Sequence, residues 1–407
     1  MLKNIGMTYD DVWLVDGLRT GFADYNSTLR EISPTDLGIK VARAAMARSG
    51  IAPAEIDMVV AGNMAQSSFD AYFLPRHIGL YSGVPADVPA LLVHRLCGTG
   101  FETIIQAADA ITLGKAERVL CVGTESMSRN PVAAYTHRSG FKMGQVEFKD
   151  FLWEATKDTA PGLGMGDTAE NLARKYNLSR EEVDAFAAES FARAQNSAEF
   201  RAGEIVAVEN ETFTCDGYND RSIRLPRGVK SFSADEHVRP TPIEVLRDLK
   251  PAFKGVQTGG NSSAVVDGAA GAVVAAGKVV RDKGLKPLGR VVAAALVGVP
   301  PEIMGIGPAP AIRAVLERAG LTLADIDRFE INEAFGAQYL AVEKDLGLDR
   351  AKANVNGGAI ALGHPLGTTG VRLCITVARE LRRAGLKRGI ASACIGGGQG
   401  VAILIEV

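Results

Sequence analysis

Two cysteines, a histidine and an asparagine stand where side chains of their kind do chemistry. Cys97 lies in Leu96-Cys97-Gly98-Thr99-Gly100, after an apolar, strand-like run that carries His94. Phe101, Ile104, Ile105, Ala108 and Ile111 follow at helical spacing. That places the thiol at a helix N-terminus, where unpaired N–H groups and the dipole favour negative charge. The expectation is a thiol that ionises more easily than usual, the thiolate being the nucleophilic form. Gly98 and Gly100 leave a substrate room to approach. A small structural cysteine at a strand-to-helix turn fits the same residues, and locally both readings stay open.

His364, one of five histidines, lies in Gly363-His364-Pro365 before a second helix start and is a candidate base. Asn332 opens Asn332-Glu333-Ala334-Phe335 after a strand-like run. Cys394 opens Cys394-Ile395-Gly396-Gly397-Gly398-Gln399-Gly400 after a strand at 389–393, and a further glycine-bounded cluster spans 258–263. The triple glycine has no lysine at phosphate-loop spacing, so it reads as close backbone approach or an oxyanion-binding amide. Cys121 and Cys374 read as core, Cys215 as a partnerless thiol in a polar turn, and His94 as a neighbour of Cys97 or a packing residue.

Strands and helices must alternate to position these groups. Residues 12–15, 56–60 and 118–123 read as buried strands, and Ser33-Pro34-Thr35-Asp36 as the start of a helix ending near Gly50. The alternation predicts a parallel or mostly parallel α/β sheet. It occurs twice: Gly50 and Gly320 lie 270 positions apart, and the same offset pairs Arg43 with Arg313, Asp57 with Asp327, Thr99 with Thr369 and Gly100 with Gly370. A fixed offset over this length indicates an internal duplication, with Gly367 as the counterpart of Cys97. Pseudo-twofold pairing of the copies predicts that the two helix N-termini face one another. Between the copies lies an insertion with helices expected at 168–176 and 179–201, and such insertions commonly cover an active site.

Composition bounds the rest. A chain of 407 residues, 47% hydrophobic with a formal charge of -2, suits a globular enzyme and offers nothing to nucleic acid or an anionic membrane. Five scattered cysteines without a Cys-x-x-Cys pair argue against a disulfide framework or structural zinc and fit a reducing, cytoplasmic location. Residues 1–11 lack the pattern of a signal peptide, Met7 is an alternative start, and apolar runs such as 291–299 are too short to span a bilayer.

Together, Cys97-Gly98-Thr99-Gly100, Glu125-Ser126-Met127-Ser128, Asn332-Glu333-Ala334-Phe335, Gly363-His364-Pro365 and the Cys394 cluster resemble the thiolases, in order and spacing, over nearly the whole chain. The resemblance implies an α/β fold of two duplicated units in five layers, α-β-α-β-α, with an inserted loop domain. The expected units are 1–124 plus 262–284, the insertion 125–261, and 285–407. It implies Cys97 as the acyl-carrying nucleophile, His364 as its base and Cys394 as a second acid/base. Asn332 would hold a water that, with His364, stabilises an enolate oxygen. The N–H groups of Cys97 and Gly396 would form a second oxyanion hole. Ser263, Phe253, Phe335 and Met165 would line the pantetheine and acyl pocket. Coenzyme A and acyl-CoA enter as substrates, with no resident cofactor and no metal, and a homodimer or homotetramer is implied.

Four positions depart from the family pattern. His94 replaces an asparagine, Thr99 a serine, Thr124 a glycine-rich lead-in, and Gly164 the histidine that short-chain biosynthetic members carry before Met165-Gly166. The last leaves room for longer or unusual acyl chains. A decarboxylating ketoacyl-synthase-like enzyme shares the fold, but Cys394 stands where those enzymes use histidine or asparagine. A non-catalytic acyl-CoA binder is the other alternative, and joint retention of Cys97, His364, Asn332 and Cys394 speaks against it.

Overall fold

The computed structural model describes residues 3–66, 68–135 and 137–407. Its first part carries β1 (Asn4–Thr8), β2 (Val12–Arg19), α1 (Pro34–Ser49), β3 (Met58–Gly62), α2 (Leu74–Tyr81), β4 (Ala90–Val93), α3 (Thr99–Thr112) and β5 (Arg118–Glu125). The insertion holds α4 (Phe151–Ala155), α5 (Met165–Lys175), α6 (Arg180–Asn196) and α7 (Ala198–Ala202). Then come β6 (Val266–Ala276), β7 (Gly289–Gly298), α8 (Pro308–Ala319), β8 (Arg328–Ile331), α9 (Gly336–Leu346), α10 (Leu366–Ala384), β9 (Arg388–Ile395) and β10 (Gln399–Glu406).

The strands run β8-β9-β10-β7-β2-β6-β5-β3-β4, with β1 also on β7. Two residue pairs, Gly289 with Leu14 and Arg290 with Trp13, join β7 to β2 and so connect the two halves of the sheet. The halves are ordered alike, β4-β3-β5-β6-β2 matching a bridge at Ala353 followed by β8-β9-β10-β7. Only the β3–β4, β3–β5 and β8–β9 pairs of this path are parallel. The sheet is therefore mixed, not mostly parallel as the alternation suggested. The reason is the connection: β9 turns into β10 through Gly396, Gly397 and Gly398, too short a link for a parallel crossover. Gly397 and Gly398 take φ of +79° and +84° to make that turn. In the first half the insertion occupies the corresponding place, between β5 and antiparallel β6.

Local structure repeats with the offset. Ser33 caps α1 by accepting from the Asp36 N–H, and Gly50 and Gly320 end α1 and α8 in the left-handed region. The Asp57 carboxylate accepts from the N–H groups of Glu117 and Arg118 at 2.9 and 2.8 Å. Asp327 does the same for Lys387 and Arg388, both at 2.9 Å. Two helix boundaries differ from expectation. The second insertion helix breaks at Ser197, whose hydroxyl donates to the Asn356 carbonyl. The first begins at Met165 rather than 168, because Gly164 caps it and its N–H is taken by Asp167.

Three apolar cores separate five layers. One packs α1 and α2 on one face of the first-half strands through Leu37, Ile78, Leu120 and Val122. A second, with Phe101, Val119, Cys121, Val371, Cys374 and Ile403, places α3 and α10 between the two halves. A third seats α8 and α9 on the far face of the second half. In the middle layer α3 and α10 touch backbone to backbone. A Cβ on Gly100 would lie 2.7 Å from the Gly370 nitrogen, and one on Gly370 would lie 2.1 Å from the Phe101 nitrogen. Replacing Gly370 by alanine forces the helices apart and is expected to cost about 2–3 kcal/mol. A native-like unfolding midpoint for Gly370→Ala in denaturant titration would contradict this packing.

Candidate active site

The two helix N-termini that meet in the middle layer carry the candidate groups. Leu96, at φ +46°, bends the chain so that Cys97 precedes the first turn of α3. The Thr99 hydroxyl ties this turn, donating to the Leu96 carbonyl at 2.7 Å and accepting from the Arg95 N–H at 2.9 Å. Its counterpart Thr369 donates to the Pro365 carbonyl at 3.3 Å and lies 2.6 Å from His364 Nδ1. A carbonyl only accepts, so in the tautomer that satisfies all three groups the hydroxyl donates to it and accepts from Nδ1–H. That leaves the Nε2 lone pair free, and Nε2 is buried with no partner among the described residues.

His364, Asn332 and Cys394 are buried and Cys97 is half-buried, and the electrostatics of the site follow from that. Burial pushes the Cys97 thiol up to about 11, opposed by the N–H groups of Gly396 and of Cys97 itself, which face the sulfur. Desolvation and the N–H groups thus pull in opposite directions at Cys97, and burial is the larger cause, against the direction the helix N-terminus alone suggests. Burial, with the Arg372 charge adding to it, holds His364 down to about 3, so the ring is neutral at physiological pH. Cys394 is fully buried, close enough to Cys97 to feel its charge, and burial raises it well above the usual thiol range. Asn332 closes β8 fully buried, and neither atom of its side-chain amide has a partner among the described residues. Two thiols that feel one another's charge, a neutral imidazole and an open amide are types of group suited to nucleophilic acyl transfer with proton exchange at carbon.

Comparisons with known proteins bear on the family and the fold. Residues 12–278 match the thiolase N-terminal domain and residues 285–407 the thiolase C-terminal domain. The mitochondrial 3-ketoacyl-CoA thiolase of Homo sapiens is 44% identical over 401 residues, covering 97% of this chain and 98% of that protein. An acetyl-CoA acetyltransferase of Allochromatium vinosum is 40% identical over 408 residues, 98% and 99% of the two chains. The crystal structure of the human thiolase in complex with CoA superimposes with a TM-score of 0.91 at 43% identity, covering 97% of this chain and 98% of that one. This chain belongs to the thiolase family.

In this thiolase-family chain the four predicted contact residues gather beside Cys394. Met165, Phe335 and Cys394 share one small apolar cluster with Met304 and Ala334. Phe253 meets Phe335 edge to face at 6.3 Å, and the Ser263 N–H donates to the Ala334 carbonyl at 3.0 Å. Around Cys97 a separate apolar cluster forms from Met64, Ala65, Leu96, Met127, Leu152 and Leu366. His94 lies past the end of β4 and is exposed. Among the described residues no group of three or more His, Cys, Asp or Glu is placed to hold a metal, and no helix is long and apolar enough to cross a membrane.

Sequence reasoning left three supporting residues without a role. Thr369 appeared only as a repeat match to Thr99. Glu333 is buried and accepts from Ser190 Oγ at 2.7 Å, Asn354 Nδ2 at 2.8 Å and the Ile360 N–H at 3.2 Å, tying the loop that leads to His364. Glu125, at the end of β5, is the third. Thr369→Val keeps the shape but removes the acceptor for Nδ1–H. It is expected to lower kcat about 5- to 50-fold with little change in stability, as loss of one orienting hydrogen bond does. Steady-state kinetics beside thermal unfolding checks this, and an unchanged kcat would show that the Thr369 hydroxyl does not orient the ring.

Proposed function

We propose that this chain is a CoA-dependent C-acyltransferase that cleaves 3-ketoacyl-CoA with CoA, or condenses acyl-CoA with acetyl-CoA in reverse, through an acyl group on Cys97. The observation that carries this reading is the Cys97 sulfur faced by two N–H groups beside a second buried thiol, with an uncommitted imidazole nitrogen and amide in the same site. With its thiol up at about 11, Cys97 needs a base, and neutral His364 with a free Nε2 lone pair supplies one.

In thiolysis, His364 takes the Cys97 proton and the sulfur attacks the 3-keto carbon of the substrate. The N–H groups of Cys97 and Gly396 receive the oxyanion, in the place where charge develops. The C2–C3 bond breaks, and its electron pair becomes the enolate of an acetyl thioester, held by imidazolium His364 and by a water on Asn332. Cys394 protonates C2 and acetyl-CoA leaves. Cys394 then takes the proton of incoming CoA, whose sulfur attacks acyl-Cys97; the shortened acyl-CoA leaves, and the expelled Cys97 thiolate takes its proton back from His364. The covalent carrier is needed because one CoA must leave before the other enters.

The apolar cluster of Met64, Ala65, Met127 and Leu152 beside Cys97 supports acyl chains longer than acetyl, as does Gly164 where short-chain members carry a histidine. Met165 and Phe253, on an inserted unit at 125–261, are the proposed pantetheine contacts together with Ser263, on the unit 1–124 plus 262–284, and Phe335, on the unit 285–407. Strand β4 ends the sheet path with Leu91 exposed, and Phe69, Tyr72 and Phe73 are exposed nearby in sequence. These residues support a homodimer through the first-half sheets. Five free cysteines support a reducing compartment such as the cytoplasm.

Thiolysis of a 3-ketoacyl-CoA series, from acetoacetyl upward with free CoA, tests the reading. Native enzyme is expected to turn over, with a preference for chains beyond acetoacetyl. Cys97→Ala is expected to lose at least about 10³-fold in kcat. No turnover of any chain length by the native protein would overturn the assignment.

A further inference from the structure

Glu125 ends β5 where the insertion begins, and it is completely buried. Each partner of its carboxylate is a donor. Oε1 accepts from Asn63 Nδ2 at 2.9 Å and the Ala65 N–H at 3.1 Å; Oε2 accepts from the N–H groups of Met64 at 3.0 Å and Gly367 at 2.8 Å. Four donors and no acceptor suit the ionised form. Burial pulls the other way, raising the group to about 7 against the backbone N–H groups of Gly367, Ala65 and Met64.

Gly367 is the second residue of α10, whose N-cap, Pro365, has no capping side chain. Glu125 therefore fills, from the other half of the chain, the place of a helix cap, with its charge at the favourable end of the dipole. The duplication provides an internal comparison. The residue 270 positions after Glu125 is Ile395, and the one 270 before Gly367 is Cys97. Ile395 packs at the head of α3, where a Cβ on Gly98 would come within 2.5 Å of its Cδ1. One N-terminus of the pair is closed by a carboxylate. The other has an apolar neighbour instead, and the Cys97 N–H just before it faces the sulfur together with that of Gly396.

We propose that Glu125 is a positioning residue for the acyl transfer: it clamps the first turn of α10, and with it His364, to the 63–65 loop of the first half. It thereby holds Nε2 where it takes the Cys97 proton. This rests on the assignment of Cys97 and His364 as nucleophile and base.

Glu125→Gln keeps the volume but turns an NH2 group toward backbone or side-chain donors. Thiolysis kcat is expected to fall about 10- to 100-fold, the worth of one charge-assisted hydrogen bond, with KM for CoA within about twofold. Iodoacetamide alkylation of Cys97 is expected to slow at pH 7, against the direct effect of removing the Glu125 charge: that charge by itself raises the thiol, and its loss alone would speed alkylation. The gap to native enzyme should narrow as pH rises toward the thiol's own ionisation, where no base is needed. A purely structural role would instead shift alkylation equally at all pH values, and that result, or a native kcat, overturns the proposal. Should the variant not fold, Asn63→Ala removes one donor and leaves the Gly367 bond. It is expected to show the same pH-dependent slowing, about threefold at pH 7, and native alkylation there also overturns the proposal. Loss of thiolysis in Cys97→Ala alongside native rates in Glu125→Gln would refute the clamp alone. Inactivity of the native protein would instead refute the reading beneath it.

Discussion

The contact between the first turns of α3 and α10, at Gly100 and Gly370, is what the rest of the structure depends on. No Cβ fits on either residue, so the two backbones approach as closely as peptide units can. That contact places the turn bearing Cys97 beside the turn bearing His364, although 267 residues separate the two in the chain. The core around it, from Phe101 and Val119 to Val371 and Ile403, holds both helices between the halves of the sheet. Strand order, duplication and the three cores serve to bring two helix heads together and keep them there.

Burial follows from that packing and decides the resting charge of the site. A thiol held up at about 11, a second thiol raised further and an imidazole held down at about 3 all rest neutral at physiological pH. Neutral groups are far cheaper to bury than charged ones. Charge is then created only by moving a proton from sulfur to nitrogen, and the resulting pair is stabilised by its own proximity and by the N–H groups at the sulfur. Burial makes the unpartnered Asn332 amide and His364 Nε2 costly among the described residues, and on the proposed mechanism each gains its partner when substrate binds.

Much of this was legible in the residues, and what was hidden has physical causes. Ser33, Gly50 and the turn at Cys97 announce their elements because capping and left-handed positions restrict residue type. The repeat was visible because packing at Asp57 and Asp327, or at Thr99 and Thr369, uses the same side chains twice. Strand direction was not visible. An apolar run reads alike in either direction, and only the shortness of the 396–398 link reveals that β10 runs back along β9. β1 was missed because four of its five residues are exposed and its pattern is not that of a buried strand. The sign of the Cys97 shift was missed because depth of burial is a property of the whole fold, while the helix N-terminus is local.

The duplication also explains why there is one site and not two. His94 and His364 are counterparts, as are Cys97 and Gly367, each pair 270 positions apart. A symmetric molecule would place a histidine and a cysteine at both helix heads. Here the first copy keeps the cysteine, and its histidine lies exposed beyond the end of β4. The second copy keeps the histidine, pinned by Thr369, and has glycine where the sulfur would be, its N–H occupied by Glu125. The proposed nucleophile and base thus come from opposite copies, on the two helix heads that touch at Gly100 and Gly370. A thiolate needs its proton acceptor on a different rigid element, aimed from outside its own turn. Two helix heads in contact provide that geometry in a way that one helix head cannot.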